Sequence, residues 1–134
     1  MSTGAVSIRF WHPCMDLSFL GELLRLPCFR WWTAGDDRAT PKGAPLPGKY
    51  KESYWVSRLE FSERLRFVKE LSRLVTLVSS MQDAIVQFQE SGGRIGIYLS
   101  LPGKSNVGDD IDPSLLSLMG NLGITFMIEV MPGV

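Results

Sequence analysis

Hydrophobic and polar side chains alternate from Val6 to Trp11, putting Val6, Ile8 and Phe10 on one side and Ser7, Arg9 and Trp11 on the other. A period of two predicts a half-buried strand. Pro13 ends it. Asp16 then stands where an N-cap belongs, ahead of a helix carrying Leu17, Leu20, Leu23, Leu24 and Leu26 and closed by Pro27. Cys28 to Thr33 reads as a short second strand. Between Ala34 and Lys49 the periodicity lapses, and Gly35, Pro41, Gly43, Pro45, Pro47 and Gly48 predict a long Gly/Pro-rich loop at 34–49.

Alternation returns from Ser53 to Phe61, with Trp55, Ser57, Leu59 and Phe61 facing one way and Tyr54, Val56, Arg58 and Glu60 the other. Ser62 and Glu63 open a helical stretch reaching Glu90, in which Phe67, Leu71, Leu74, Val78, Met81, Ile85 and Phe88 recur at steps of four and three. That is the spacing of one buried helical face. Ser79 and Ser80 followed by Asp83 resemble a new N-cap, so a kink or break is expected there. Gly92 and Gly93 close the stretch. Arg94 to Leu101 is the cleanest strand, Ile95, Ile97, Leu99 and Leu101 pointing inward. Asp112 caps a short helix from Pro113 to Met119, and Ile124 to Met131 is the last strand.

The order β-α-β-β-α-β with an appended α-β predicts an α+β fold of ferredoxin-like type, one domain over residues 1–134, its helices mainly on one face of a mostly antiparallel sheet. The other face then carries Arg9, Trp11, Tyr54, Val56, Arg58, Glu60, Tyr98, Thr125, Met127 and Glu129. That set is too aromatic for idle surface and too charged for core, so either the loop or a partner covers it.

Composition narrows the class. With 134 residues, 45% of them hydrophobic, and zero formal net charge, the chain is neither disordered nor short of core. No apolar run approaches the roughly 18 to 20 residues that cross a bilayer, and MSTGAVSIRFWHPC lacks the regions of a secretion signal. The expectation is a cytoplasmic protein with no membrane association. Cys14 and Cys28 lie fourteen apart with no CxxC pair, which leaves a disulfide framework or zinc knuckle without support. Charge is uneven along the chain: residues 25–73 hold eleven Lys and Arg against six acids, and the C-terminal remainder is acidic. A dipolar surface or simply solvated helix faces would both produce this.

Candidate chemistry is sparse. His12 and Cys14 are close enough to meet across a turn, but nothing supplies an orienting acid or an oxyanion hole, and a strand-end His satisfying backbone groups fits equally. No enzymatic activity is expected. Asp109, Asp110 and Asp112 lack the Gly and Glu positions of a calcium loop, and Gly92–Gly93 precede a strand rather than a helix, so neither metal nor nucleotide cofactor is expected. What remains is a basic aromatic stretch running from Arg30 to Trp55, able to stack bases, grip phosphates or anchor a protein, or else to pack its tryptophans under the loop.

The segments HPCMD (12–16), AGDDRATPKGAPLPG (34–48), SYW (53–55) and SGGRIGIYLSLPG (91–103) resemble the domain of unknown function 4279 family of bacterial proteins, over nearly the whole chain. The resemblance implies a compact α+β domain without established catalytic residues, some members being associated with toxin and immunity loci. It assigns no functional residue. The leading expectation is therefore a non-enzymatic binding module, of immunity type in one version. It would hold an unidentified protein partner through Trp11, Trp31, Trp32, Arg38, Lys42, Tyr54, Trp55, Arg58 and Tyr98. The alternative is a small-molecule or nucleic-acid-binding domain using segment 30–55, with zero net charge weighing against nucleic acid. A homodimer through the second sheet face is equally compatible.

Overall fold

The computed structural model describes residues 4–61, 66–104 and 106–132. The central strand, β1 (Gly4–His12), is followed by a short helix α1 (Leu20–Leu24), β2 (Arg30–Trp32), a hairpin of β3 (Asp37–Ala39) and β4 (Pro45–Lys49), and β5 (Ser53–Phe61). Helices α2 (Val68–Ser79) and α3 (Gln82–Glu90) lead to β6 (Arg94–Pro102), α4 (Pro113–Asn121) and β7 (Ile124–Met131). Five strands form one sheet in the order β2-β5-β1-β6-β7, and β3 and β4 form a second, two-stranded sheet. Pairing is antiparallel except between β6 and β7.

The alternation dictates which face the helices cover. Val6, Ile8 and Phe10 of β1, Trp55 of β5, and Ile95, Ile97 and Leu99 of β6 form one apolar layer. Leu20 and Leu24 of α1, Leu71, Leu74, Val75 and Val78 of α2, Ile85 and Phe88 of α3 and Met119 of α4 pack on it. Every described helix thus joins the same core, leaving the other face of the sheet free of helices among the described residues. No described helix is long and apolar enough to cross a membrane.

The α+β class and the mostly antiparallel sheet follow the sequence pattern. The five-stranded order, with β7 parallel to β6 and the hairpin set apart as its own sheet, departs from a plain four-stranded β-α-β-β-α-β arrangement. The helical break falls at Ser80–Met81, where the Ser80 hydroxyl donates to the Leu77 carbonyl (2.6 Å) and Met81 leaves helical geometry (ψ 35°). The helix start expected at Ser62 and Glu63 lies outside the described residues.

Three expectations need correction. The helix expected through Leu17 to Leu26 is only Leu20–Leu24, because the Asp16 carboxylate accepts the Ser18 N–H (2.9 Å) and holds a separate turn. It ends at Arg25, whose positive φ (53°) lets its N–H reach back to Glu22. The second strand keeps only Arg30–Trp32. The expected loop at 34–49 is a hairpin closed by Thr40 N–H to Ala44 carbonyl (2.8 Å) and Gly43 N–H to Thr40 carbonyl (2.8 Å), with Gly43 at φ 90°. Prolines 45 and 47 fit because a two-stranded ribbon is all edge, where a missing N–H costs little.

Candidate binding site on the open sheet face

Register arranges the open face in rows across the strands. Trp32, Tyr54, Trp11 and Arg94 lie opposite one another from β2 to β6 and form the first. Arg30, Val56, Arg9 and Gly96 form the second, and Arg58, Ser7 and Tyr98 the third. Adjacent rows are two residues apart along each strand, which is roughly 7 Å.

The first row is a closed aromatic ladder. Tyr50 stacks on Trp32 (centroids 4.1 Å apart, planes at 8°), Trp32 meets Tyr54 at 4.6 Å, and Tyr54 meets Trp11 at 5.7 Å. Arg94 caps the far end with its guanidinium 4.9 Å from the Trp11 ring, and Glu52 holds Arg94 at 3.0 Å. The Trp32 indole N–H donates to the Glu52 carbonyl (3.0 Å). Such a ladder is rigid, each ring fixing the next.

Arg30 ties the hairpin to this ladder. Its guanidinium lies 4.8 Å over Trp32 and donates to the Ala39 carbonyl (2.6 Å) and the Tyr50 hydroxyl (3.2 Å). Tyr50 accepts from the Ala39 N–H (3.2 Å) and donates to the Ala39 carbonyl (2.9 Å). The hairpin is thereby held beside the sheet, and Pro41 at its turn lines a groove of about 500 Å³ with Phe29, Trp32 and Tyr54. Arg9, Arg30 and Arg58 share that lining, with no Asp or Glu among the described residues there.

The arginines are unequally engaged. Arg9 rests 4.0 Å over the Tyr98 ring, and its buried Nε has no hydrogen-bond partner among the described residues. Arg58 reaches Glu60 only at 3.9 Å. No described carboxylate comes within 4 Å of Arg9 or Arg30. Burial pushes the Tyr54 phenol above its ordinary value of 10.0, against the pull of Arg9 and Arg30. Tyr98 is raised too, first by the Glu129 carboxylate beside its hydroxyl, then by burial, with Arg9 opposing. A smaller pit of about 180 Å³ lies on the far side of Arg9, over Gly96, where a Cβ would come within 3.1 Å of the Trp11 ring.

Of the residues singled out in the sequence, Trp11, Trp32, Tyr54, Arg58 and Tyr98 share the open face. Arg38 and Lys42 lie on the exposed hairpin, Arg38 donating to the Pro47 carbonyl (3.2 Å). Two do not join them. Trp55 points to the helices, is 1% exposed and packs edge-on against Phe10, because its position in the alternation is the core one. Trp31, its partner in register, shares that orientation at the sheet's edge and is 45% exposed. Arg9, Arg30 and Tyr50 complete the site. Arg9 is marked by its place in the first strand's alternation, whereas Tyr50 required knowing that 34–49 folds back as a hairpin.

His12 lies on the opposite face. Its Nδ1 accepts the N–H groups of Cys14 (3.1 Å) and Met15 (2.9 Å), and Nε2 donates to the Ser91 hydroxyl (2.9 Å). Both ring nitrogens are therefore committed, Nδ1 to the turn after β1 and Nε2 to Ser91, and neither is bonded to the Cys14 sulfur. Asp109 and Asp112 serve helix starts: Asp109 accepts the Val68 N–H at the head of α2 (3.1 Å), and Asp112 accepts from Ser114 in α4 (3.4 Å). Among the described residues no three His, Cys, Asp or Glu side chains gather as a metal site. Comparisons with protein-family models, curated proteins and solved structures return no match.

Proposed function

We propose that this chain is a non-enzymatic binding module that holds a protein partner on its open sheet face, with the β3–β4 hairpin as one wall of the contact. The observation that carries the reading is the groove floor, where Arg9, Arg30 and Arg58 converge from three strands without a described carboxylate in the lining. Like charges drawn together repel, and a partner bearing acidic groups offsets that repulsion. Tryptophan, tyrosine and arginine on a preformed surface are also the residue types that dominate interface energetics. Base stacking is disfavoured because Trp32 is already occupied by the Tyr50 ring stacked on it, the Tyr54 ring beside it and the Arg30 guanidinium over it.

The immunity-type role is the version of this reading that the family resemblance implies, and it puts the protein in a bacterial cytoplasm. We also read the sheet as a ferredoxin-like split βαβ with β7 appended, since β1 and β2 both run antiparallel to the β5 that separates them. The test is affinity capture from the protein's own cells at physiological salt, comparing the native chain with Arg58→Glu. A defined protein retained by the first and lost from the second is the expected result. Finding none, or one held equally by both, removes the reading.

A further inference from the structure

Resting on that reading, we propose that the groove takes an extended acidic segment of the partner, with carboxylates at alternating positions received by Arg9 and Arg58. Ser7 pairs with Arg58 across β1 and β5, so Arg9, two residues further along β1, is its diagonal neighbour. Such positions stand roughly 7 Å apart. In an extended chain, side chains at i and i+2 project from the same side at about the same separation. The two spacings match, so one acidic-x-acidic segment meets both guanidiniums without bending.

The arginines differ in how free they are. Arg30 is consumed by Ala39, Tyr50 and Trp32, and so serves as the wall that holds the hairpin. Arg9 lies over Tyr98 with an unpartnered buried Nε, and Arg58 has a long contact to Glu60 and lies 5.9 Å from the Phe29 ring centroid. Both retain donors in the planar, forked geometry that carboxylates accept in bidentate fashion. Val56 lies between Arg9 and Arg30 in the same row, and with Pro41 and Phe29 it gives the groove an apolar lining beside those bonds. A phosphate or nucleotide has less to recognise here. No lysine lines the groove, and the rings of the ladder are packed against one another, Tyr50 stacked on Trp32 and the others tilted.

Fluorescence anisotropy with short labelled peptides tests this at about 0.15 M salt. A peptide centred on Glu-Ala-Glu is expected to bind about tenfold or more tightly than Gln-Ala-Gln or Glu-Ala-Ala-Glu, the difference expected of a charge-assisted pair correctly spaced. Arg58→Ala and Arg9→Ala should each lose about that factor, and Arg58→Lys, which keeps the charge but not the fork, should lose part of it. Lys69→Ala, at an exposed position of α2, should change nothing. Melting curves establish that each variant is folded, and Arg58→Gln or Arg9→Gln replaces the alanine variant at the same position if that one is not. Equal affinity for the neutral or misspaced peptide, indifference to both arginine variants, or displacement by pyrophosphate as readily as by the acidic peptide would overturn the proposal. Capture of a protein partner with no peptide binding overturns it while leaving the binding-module reading intact, and peptide binding without any captured protein does the reverse.

Discussion

His12 occupies a site where three hydrogen bonds converge in a nearly sealed space. Because Ser91 donates its hydroxyl to the Phe88 carbonyl (2.8 Å), it accepts from Nε2, and this network assigns the neutral tautomer with the proton on Nε2. The ring thus joins the end of β1 and the turn after it to the C-terminus of α3. His12→Ala should cost about 2–3 kcal/mol in urea unfolding, since it removes the acceptor for two N–H groups, and Ser91→Ala about 1 kcal/mol. A cost below about 0.5 kcal/mol for His12→Ala would show that water replaces the ring fully. The two glycines that follow have separate reasons to be glycine. Gly92 adopts φ 108°, a left-handed conformation. Gly93 has no such need, but the Phe88 ring lies over it and a Cβ would approach to 2.4 Å. Gly93→Ala should therefore destabilise by about 1–3 kcal/mol through overpacking, in the same unfolding assay. The Gly-Gly pair was legible as a helix terminator; the ring above the second glycine was not, because it depends on tertiary packing.

At the scale of elements, α2 illustrates a cap that comes from a distant part of the chain. Its N-cap residue, Phe67, provides no side-chain hydrogen bond, and the Val68 N–H is instead taken by Asp109, forty-one residues away. Burial raises the Asp109 carboxyl, but the N–H groups of Val68 and Asp110 together with Arg66 outweigh it and hold the group below 3.8. A depressed folded value means that the stabilisation is fully present above the ordinary carboxylate range and is lost as pH falls through the folded value. Asp109→Ala should cost about 1 kcal/mol at pH 7, and the gap between variant and native chain should close on acidification. A gap that persists unchanged however far the pH is lowered while the chain stays folded would show that the carboxylate charge is not what holds the helix. Such long-range caps explain the pattern of what was readable. β5 and β7 span the residues expected of them, and α4 began at the expected Pro113, because their signals are local; the inward positions Ile128 and Val130 are nonetheless exposed, since β7 is an edge strand. The 34–49 hairpin was read as loop because its strands carry prolines and glycines, and only the register-locked contacts of Arg30 and Tyr50 with Ala39 reveal it. Half of the candidate site was legible for the same reason: alternation assigned Trp11, Tyr54, Arg58 and Tyr98 to one face, while misplacing Trp55 within the binding set although its parity put it in the core.

Across the whole molecule, the sheet separates two tasks by face. One side is an apolar layer under the described helices, and the other carries the groove, the ladder and most of the sheet's charge. A substitution should then affect stability or binding according to the parity of its position. Ile97, 1% exposed at the centre of β6, should cost about 2–5 kcal/mol when cut to alanine, because the cavity it leaves is bounded by packed strands and helices. Arg58→Ala, whose side chain is one-third exposed and loosely paired, should cost less than about 1 kcal/mol. At roughly 4 °C per kcal/mol for a domain of this size, calorimetry resolves the first easily and the second barely. Arg9 is the informative exception, since it lies at the centre of the open face with its Nε buried over Tyr98. Without a partner, that buried polar atom contributes nothing to folding, so Arg9→Met, which keeps the apolar stem, should leave the melting temperature unchanged or slightly raised while weakening binding to the groove about as much as Arg9→Ala does. A substantially lower melting temperature for Arg9→Met would mean that the guanidinium is built into the fold rather than kept for a partner.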